Sequence, residues 1–410
     1  MIFRSAPAKR CGAALAAGLL AFAVSACEPD KIPLPGERVS VLQLNKELNV
    51  DPSLAETPVR LPKPYENKEW PQAGGNQAHA MYHLSAGTGM LKQLWSANIG
   101  SSADSANRLL AEPVIADGKV FTLDSESLVR VFDAETGKKV WENDLTPDTD
   151  DDNLFGGGIA VYEGKVFVTT PFAKLVALDE KDGKKVWEVD APSPMRAPPA
   201  ASDGRIFTVT IDNQLVVYAS DDGRRLWSNT GVEEAAGFLG GATPAVLGDV
   251  VVAALTDIRG RPVIDRDRVI AIGNGGVMAA IDVSRGGRIW DNGLGGTQMP
   301  WVAGGFLYVI TSTSEVVCLT REDGRIKWVQ SLPPFEDMED KEDPIYWSGP
   351  VLVEDRLLVT GSNGVALAFS PYTGKLLGKQ TLPDRSHLPP VVANKTVYML
   401  SDDADLIALR

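Results

Sequence analysis

One phrase recurs along the chain: a turn closing on Thr-Gly or Asp-Gly, then basic residues, then Trp. It reads Asp133-Ala-Glu-Thr-Gly137-Lys-Lys-Val-Trp141 and again Asp179-Glu-Lys-Asp-Gly183-Lys-Lys-Val-Trp187. Weaker copies end at Trp227, Trp290 and Trp328, and a last one, Tyr372-Thr-Gly374-Lys-Leu-Leu377, has lost its Trp. A period of roughly 40 residues is the mark of a repeat architecture, in which no single unit can bury its apolar surface alone.

Each unit carries three further strand-like runs before the phrase. In the first, Pro113-Val-Ile-Ala116 and Lys119-Val-Phe-Thr-Leu123 flank Asp117-Gly118, a two-residue hairpin turn that demands positive φ. Leu128-Val-Arg-Val-Phe132 and Lys139-Val-Trp-Glu142 complete the set. Four short strands with turn residues at fixed offsets predict the blade of a β-propeller, an all-β fold. The strands are apolar at nearly every position, as they must be when both faces of a blade pack on neighbours. The recurring Trp is expected to fill the space between adjacent blades.

Leu91-Lys-Gln-Leu-Trp95 resembles an orphan fourth strand, and the C-terminal Val391-Val392, Val397–Leu400 and Leu406–Leu409 supply three strands and stop. Their pairing would close the ring and remove two exposed sheet edges. Hairpin starts near Pro113, Gly158, Pro199, Pro244, Pro262, Pro300, Pro350 and Pro390 imply eight blades. Pro244 and Pro262 are only 18 positions apart, too close for four strands. The expectation is an eight-blade plan with a truncated fourth blade, and the rival is a seven-blade ring with a long insertion. The truncated blade would offer a strand edge near Val251 and Val252 to an extended polypeptide by β-augmentation.

Residues 1–26 read as a secretory signal, with Arg4, Lys9 and Arg10 before the apolar run from Gly12 to Val24. Val24-Ser-Ala-Cys27 fits a lipobox, which would make Cys27 the lipidated N-terminus and hold the protein on a membrane surface without a spanning helix. Glu28 after it favours the outer membrane, on its periplasmic face. Residues 27–69, Pro-rich and of mixed charge, are expected to be a tether, and residues 70–410 the propeller domain. Cys318 is the one thiol in the globular part, and it is expected in the core.

A net charge of −14 argues against nucleic acid as a partner. The strongest acidic cluster, Pro333–Asp343, falls between two units, on a connecting loop. His79 and His83 stand four apart but lack a third ligand of suitable spacing, so surface or capping positions are expected rather than a metal site. No catalytic residue, cofactor or metal is predicted. The scattered Gly pairs sit at repeat junctions and do not form a phosphate cradle.

Over roughly residues 90–410 the repeat resembles that of the pyrroloquinoline-quinone enzymes, best at 133–141 and 179–187. The dehydrogenases of that group carry an adjacent Cys-Cys pair that this chain lacks. A periplasmic quinone-dependent oxidoreductase and a generic ligand-binding propeller remain the alternative readings. Lipobox, Pro-rich tether and propeller together resemble the BamB family, lipoprotein subunits of the outer-membrane β-barrel assembly machinery. That resemblance implies a non-catalytic scaffold that binds the periplasmic POTRA region of the barrel subunit BamA, alongside other subunits of the complex. It implies assistance to the insertion of unfolded outer-membrane proteins. The family contact is attributed to two loops, which correspond here to Phe238-Leu239 before Pro244 and to Asp257-Ile-Arg259 before Pro262. Leu239 and Arg259 depart from the family pattern. Phe238 and Leu239 packing on the propeller top is the competing reading.

Overall fold

The computed structural model describes residues 48–87, 89–103, 108–147, 156–231, 242–254 and 258–410. Seven antiparallel four-stranded sheets follow one another along the chain. The first blade runs from Val114–Ala116 to Lys139–Asp144, the second from Gly158–Tyr162 to Lys185–Asp190 and the third from Ala200–Ser202 to Arg225–Thr230. After the fourth position, the fifth blade spans Val263–Asp265 to Arg288–Asn292, the sixth Trp301–Ala303 to Ile326–Ser331 and the seventh Trp347–Val353 to Leu376–Thr381. The eighth is composite. Gln93–Asn98 pairs antiparallel with Asp405–Leu409, outside Thr396–Leu400 and Val391–Ala393.

The fourth position holds two strands only, Ala245–Leu247 and Val250–Val252. They occupy a place of their own in the ring. Val246 packs with Phe207 and Val217 of the third blade, and Ala245 with Ile264 and Val269 of the fifth. The plan is therefore eightfold, with seven complete blades and one half-blade. The hairpin turns have the expected form: Asp117 and Gly118 take φ of 46° and 71°, the left-handed pair that a tight turn between twisted strands requires. Cys318 is fully buried opposite Tyr308, and burial pushes its thiol pKa up.

The blades interlock through the repeated phrase. The indole N–H of each locking Trp donates to a carbonyl in the outer turn of the next blade: Trp95 to Ala134 (3.2 Å), Trp141 to Glu180 (3.0 Å), Trp187 to Ser220 (3.4 Å), Trp290 to Arg321 (3.0 Å) and Trp328 to Pro371 (3.3 Å). Its ring lies flat on the Gly of that turn, so that a Cβ on Gly183 would overlap the Trp141 ring. Gly183 also has φ +72°. The Gly in the phrase thus serves both the turn and the neighbouring indole.

A second feature has no counterpart in the repeat. The stretch from Asn67 to Ala86 makes a circuit of the inner strands. Asn67 accepts from Asn394 of the eighth blade, and Trp70 exchanges backbone bonds with Ile115 of the first. Pro71 accepts from Val161 of the second, and the Gln72 side chain from Ala201 of the third. Gln77 accepts from Val246 of the half-blade, and Ala78 from Ile264 of the fifth. Tyr82 accepts the Trp301 indole N–H of the sixth, and Leu84 bonds Leu352 and Glu354 of the seventh. Ala86 then pairs beside Lys395, back at the eighth. Residues 48–69, assigned above to the tether, are docked from Leu48 onward. Asp51 donates to Ile326 and pairs with Arg325, and Leu54 and Val59 are buried.

The circuit corrects one expectation. His79 and His83 are not surface or capping residues but buried members of this segment. Both nitrogens of His83 lie against backbone carbonyls, Pro62 at 2.6 Å and Glu354 at 2.5 Å. His79 Nδ1 meets the Pro262 carbonyl at 2.7 Å, and its Nε2 is buried without a partner. Burial first, and the Arg261 guanidinium second, lower the His79 pKa to about 3.

Two outcomes follow from this packing. Gly183→Ala is expected to destabilise by about 2–4 kcal/mol, from the left-handed φ and the displaced indole together. Gly286→Ala, at φ +67° but with nothing near its Cβ, should cost only about 1 kcal/mol, and chemical denaturation compares the two. For His79 the unfolded chain takes up a proton below pH 6.5 that the folded chain refuses until about 3. Stability should therefore fall on acidification within that window, by about 2–3 kcal/mol between pH 6.5 and 4.5. Denaturation at the two pH values should show this component missing in His79→Gln.

Candidate functional site

The inner strands converge on a central funnel. At its closed end lie Trp70 and Gly74 of the circuit segment and Trp301 at the start of the sixth blade. The loops that enter the blades, together with the turns between second and third strands, form the open end, among them Asn274, Thr311, Ser314 and Tyr346. Leu110, Arg259, Thr297, Gln298 and His387 line both chambers, so the two are continuous.

Charge in the funnel is organised in two tiers. Deep inside, Arg261 before the fifth blade reaches Glu112 before the first, Nη1 to Oε1 at 2.5 Å. In an eight-position ring those blades are diametrically opposed, so the pair spans the axis. Glu112 is nearly inaccessible and also accepts from the Gly74 amide at 3.4 Å. A buried pair of this kind is weak evidence for stability, but removing one partner strands the other charge. At the mouth, His387 Nδ1 bonds Asp402 Oδ2 at 2.8 Å, and the His387 ring lies 5.8 Å from that of Tyr346, which is exposed.

Arg259 is placed at the junction of the tiers. It is exposed in surface area, yet the funnel walls remove enough water around the guanidinium to lower its pKa. Among the described residues it forms no ion pair. Of the other residues singled out in the sequence, Phe238, Leu239, Asp257 and Cys27 lie outside the described residues. In sequence, Phe238 precedes the half-blade and Asp257 follows it. The acidic cluster forms a hairpin of its own, Phe335–Asp337 paired with Glu342–Pro344, between the sixth and seventh blades, with Met338 exposed at its tip.

Sequence reasoning missed the Arg261–Glu112 pair and the floor of the funnel. Neither leaves a periodic signal. Glu112 and Arg261 do share one mark: each stands just before a Pro-started inner strand, Pro113 and Pro262.

Comparison with known proteins places the fold and its relatives. The crystal structure of BamB from Moraxella catarrhalis superposes with a TM-score of 0.62 at 17% identity, over 78% of this chain and 98% of that one. A quinohemoprotein alcohol dehydrogenase from Comamonas testosteroni superposes at 0.50 with 13% identity, over 83% and 80% of the two chains. Identities this low speak to the fold alone. Among curated relatives, the outer membrane protein assembly factor BamB of Marinobacter adhaerens is 24% identical over 158 residues, 38% of each chain. That of Salmonella typhimurium is 24% identical over 163 residues, 40% of this chain and 39% of the relative. These matches span well under half the length of the relatives. A family model described as outer membrane protein assembly factor BamB matches residues 125–257, 252–330 and 337–410, more than half of the sequence. The chain belongs to the BamB family of outer membrane protein assembly factors.

Proposed function

We propose that this protein is a non-catalytic scaffold lipoprotein of the outer-membrane protein assembly complex, anchored through Cys27 on the periplasmic face of the outer membrane. In this reading it binds the POTRA region of BamA and assists the folding and insertion of β-barrel proteins. Membership of the family is the observation that carries the proposal. The proposed contact is the pair of entry loops on either side of the half-blade, with Phe238, Leu239, Asp257 and Arg259 as contact residues.

Physical chemistry supports that choice. Arg259 is an exposed guanidinium with no ion pair among the described residues, at the open end of the ring. Arg is among the residue types that dominate protein interfaces, because one planar group satisfies several acceptors at once. In this reading the apolar pair Phe238-Leu239 of the sequence would supply the water-excluding part of a small hot spot. The shared fold with a quinohemoprotein dehydrogenase does not favour oxidoreductase activity, since propellers of one architecture host unrelated functions.

The test is calorimetric titration of the purified protein with BamA POTRA domains. Wild type should bind, and Phe238→Ala/Asp257→Ala and Arg259→Glu should each weaken binding about tenfold or more, the loss expected for hot-spot residues. Thermal stability of both variants should be unchanged. Absence of binding by the wild-type protein would contradict the scaffold reading, and unchanged binding by both variants would move the interface elsewhere.

A further inference from the structure

The half-blade leaves a slot in the rim of the ring, and both of its walls are bare. On one wall is Trp227, which holds in the third blade the place that Trp141 holds in the first and Trp187 in the second. Trp141, Trp290 and Trp328, each covered by the next blade, are 8%, 8% and 7% exposed, whereas Trp227 is 40% exposed. It also makes none of the indole bonds described above. On the opposite wall, Gly286 and Gly287 of the fifth blade's outer turn have nothing within 4 Å of where a Cβ would stand, although the equivalent Gly of five other blades carries an indole. The floor is Val250–Val252, which among the described residues pairs on one side only.

What the slot fits can be read from the occupied positions. Between the first and second blades Lys119 reaches Glu180 in the outer turn at 2.8 Å, and between the fifth and sixth Arg268 reaches Glu322 at 2.8 Å. Both basic residues open the second strand of their blade, and the residue at that place in the third blade is Arg205. Its Nη2 donates to Gly248 and lies 3.6 Å from the exposed Asp203 carboxylate, while its Nε is buried without a partner, so its one ion pair among the described residues is long and within its own turn. Further out, Lys139 and Lys185 pair with Glu142 and Glu188 three residues on, but Arg225 is followed at that spacing by Ser228 and forms no ion pair among the described residues. The slot therefore presents an open strand edge, an uncovered indole with a free N–H and two arginine side chains with unused donors.

We propose that this slot is a docking site for a β-hairpin of another polypeptide with a carboxylate in its turn, which adds a third and a fourth strand beside Val250–Val252 and completes the fourth blade. A carbonyl near its turn accepts from Trp227, and a carboxylate meets Arg205. Edge pairing supplies affinity, while the indole and the guanidinium supply selectivity. The inference stands independently of the proposed function, because it uses none of the residues assigned to the POTRA contact.

The test uses a fluorescein-labelled peptide that copies residues 174–190 of the second blade, the outer strand pair and acidic turn that the fourth position lacks. Anisotropy should show saturable binding to the full-length protein, weakened about tenfold by Trp227→Ala and about fivefold by Glu180→Gln in the peptide. Leu377→Ala, on the seventh blade, should leave it unchanged. A chain with that same hairpin inserted after Ala253 should no longer bind the peptide. No binding by wild type, binding indifferent to Trp227→Ala, or equal binding by the filled chain would overturn the proposal. Self-association of the wild-type protein that Trp227→Ala abolishes would also overturn it, by making a second copy the occupant.

Discussion

An unpaired backbone amide or carbonyl at a sheet edge must find a partner or face water, and the architecture of this ring follows from how each edge is treated. The outer edge of the last blade is closed by Gln93–Asn98, which ties the beginning of the ring to its end. The inner edges of all eight positions are met by the circuit from Asn67 to Ala86. The circuit accounts for the burial of two histidines and for the closed end of the funnel. In the complete blades the outward edge is that of a fourth strand, whereas at the fourth position it is that of the second strand, Val250–Val252, where the repeat itself is incomplete.

Sideways cohesion comes from the Trp of one blade resting on the turn Gly of the next. That arrangement makes each blade a part of its neighbour's core, in the manner of repeat proteins stabilised by nearest-neighbour interfaces. It also explains why a missing outer strand pair has consequences on both sides. Trp227 loses its cover, and the turn at Gly286 loses the indole that would lie on it. The seventh blade shows a milder form. There Gly378 holds the Trp place, and Leu376 and Leu377 before it are both more than half exposed.

Much of this was legible in the sequence because the repeat writes the same physical instruction many times. The turn at Asp117-Gly118, the composite eighth blade and the half-blade between Pro244 and Pro262 all follow from strand length, turn chemistry and spacing. The Trp was expected between blades, but its hydrogen bond to the next turn was not, since a carbonyl acceptor has no side-chain signature. The circuit segment was illegible for a related reason: its partners are mostly backbone groups spread over all eight positions of the ring, so it needs no apolar period. His79 and His83 were expected at the surface because they precede the first complete blade and lack a third ligand, whereas the segment is irregular and pressed against strand edges. The charge tiers of the funnel depend on residues far apart in sequence meeting across the axis, as Glu112 and Arg261 do. Arg259 was singled out by the family resemblance, as a departure from its loop pattern, and it stands exposed where the two chambers of the funnel meet.

Each of the eight positions is bonded to the circuit segment, and at the fourth position alone the outward edge belongs to a second strand, Val250–Val252, instead of a fourth. Amide hydrogen exchange on the intact protein tests it most directly. The account predicts protection of Val246 and Ile264 comparable to that of Ile115 and Val161, all four donating to the circuit segment. Val250–Val252 should exchange much faster than the second strand of any complete blade, such as Lys165–Thr169. Protection of Val250–Val252 equal to that of Lys165–Thr169 would mean that the edge is covered, and the account of an incomplete fourth blade would be wrong.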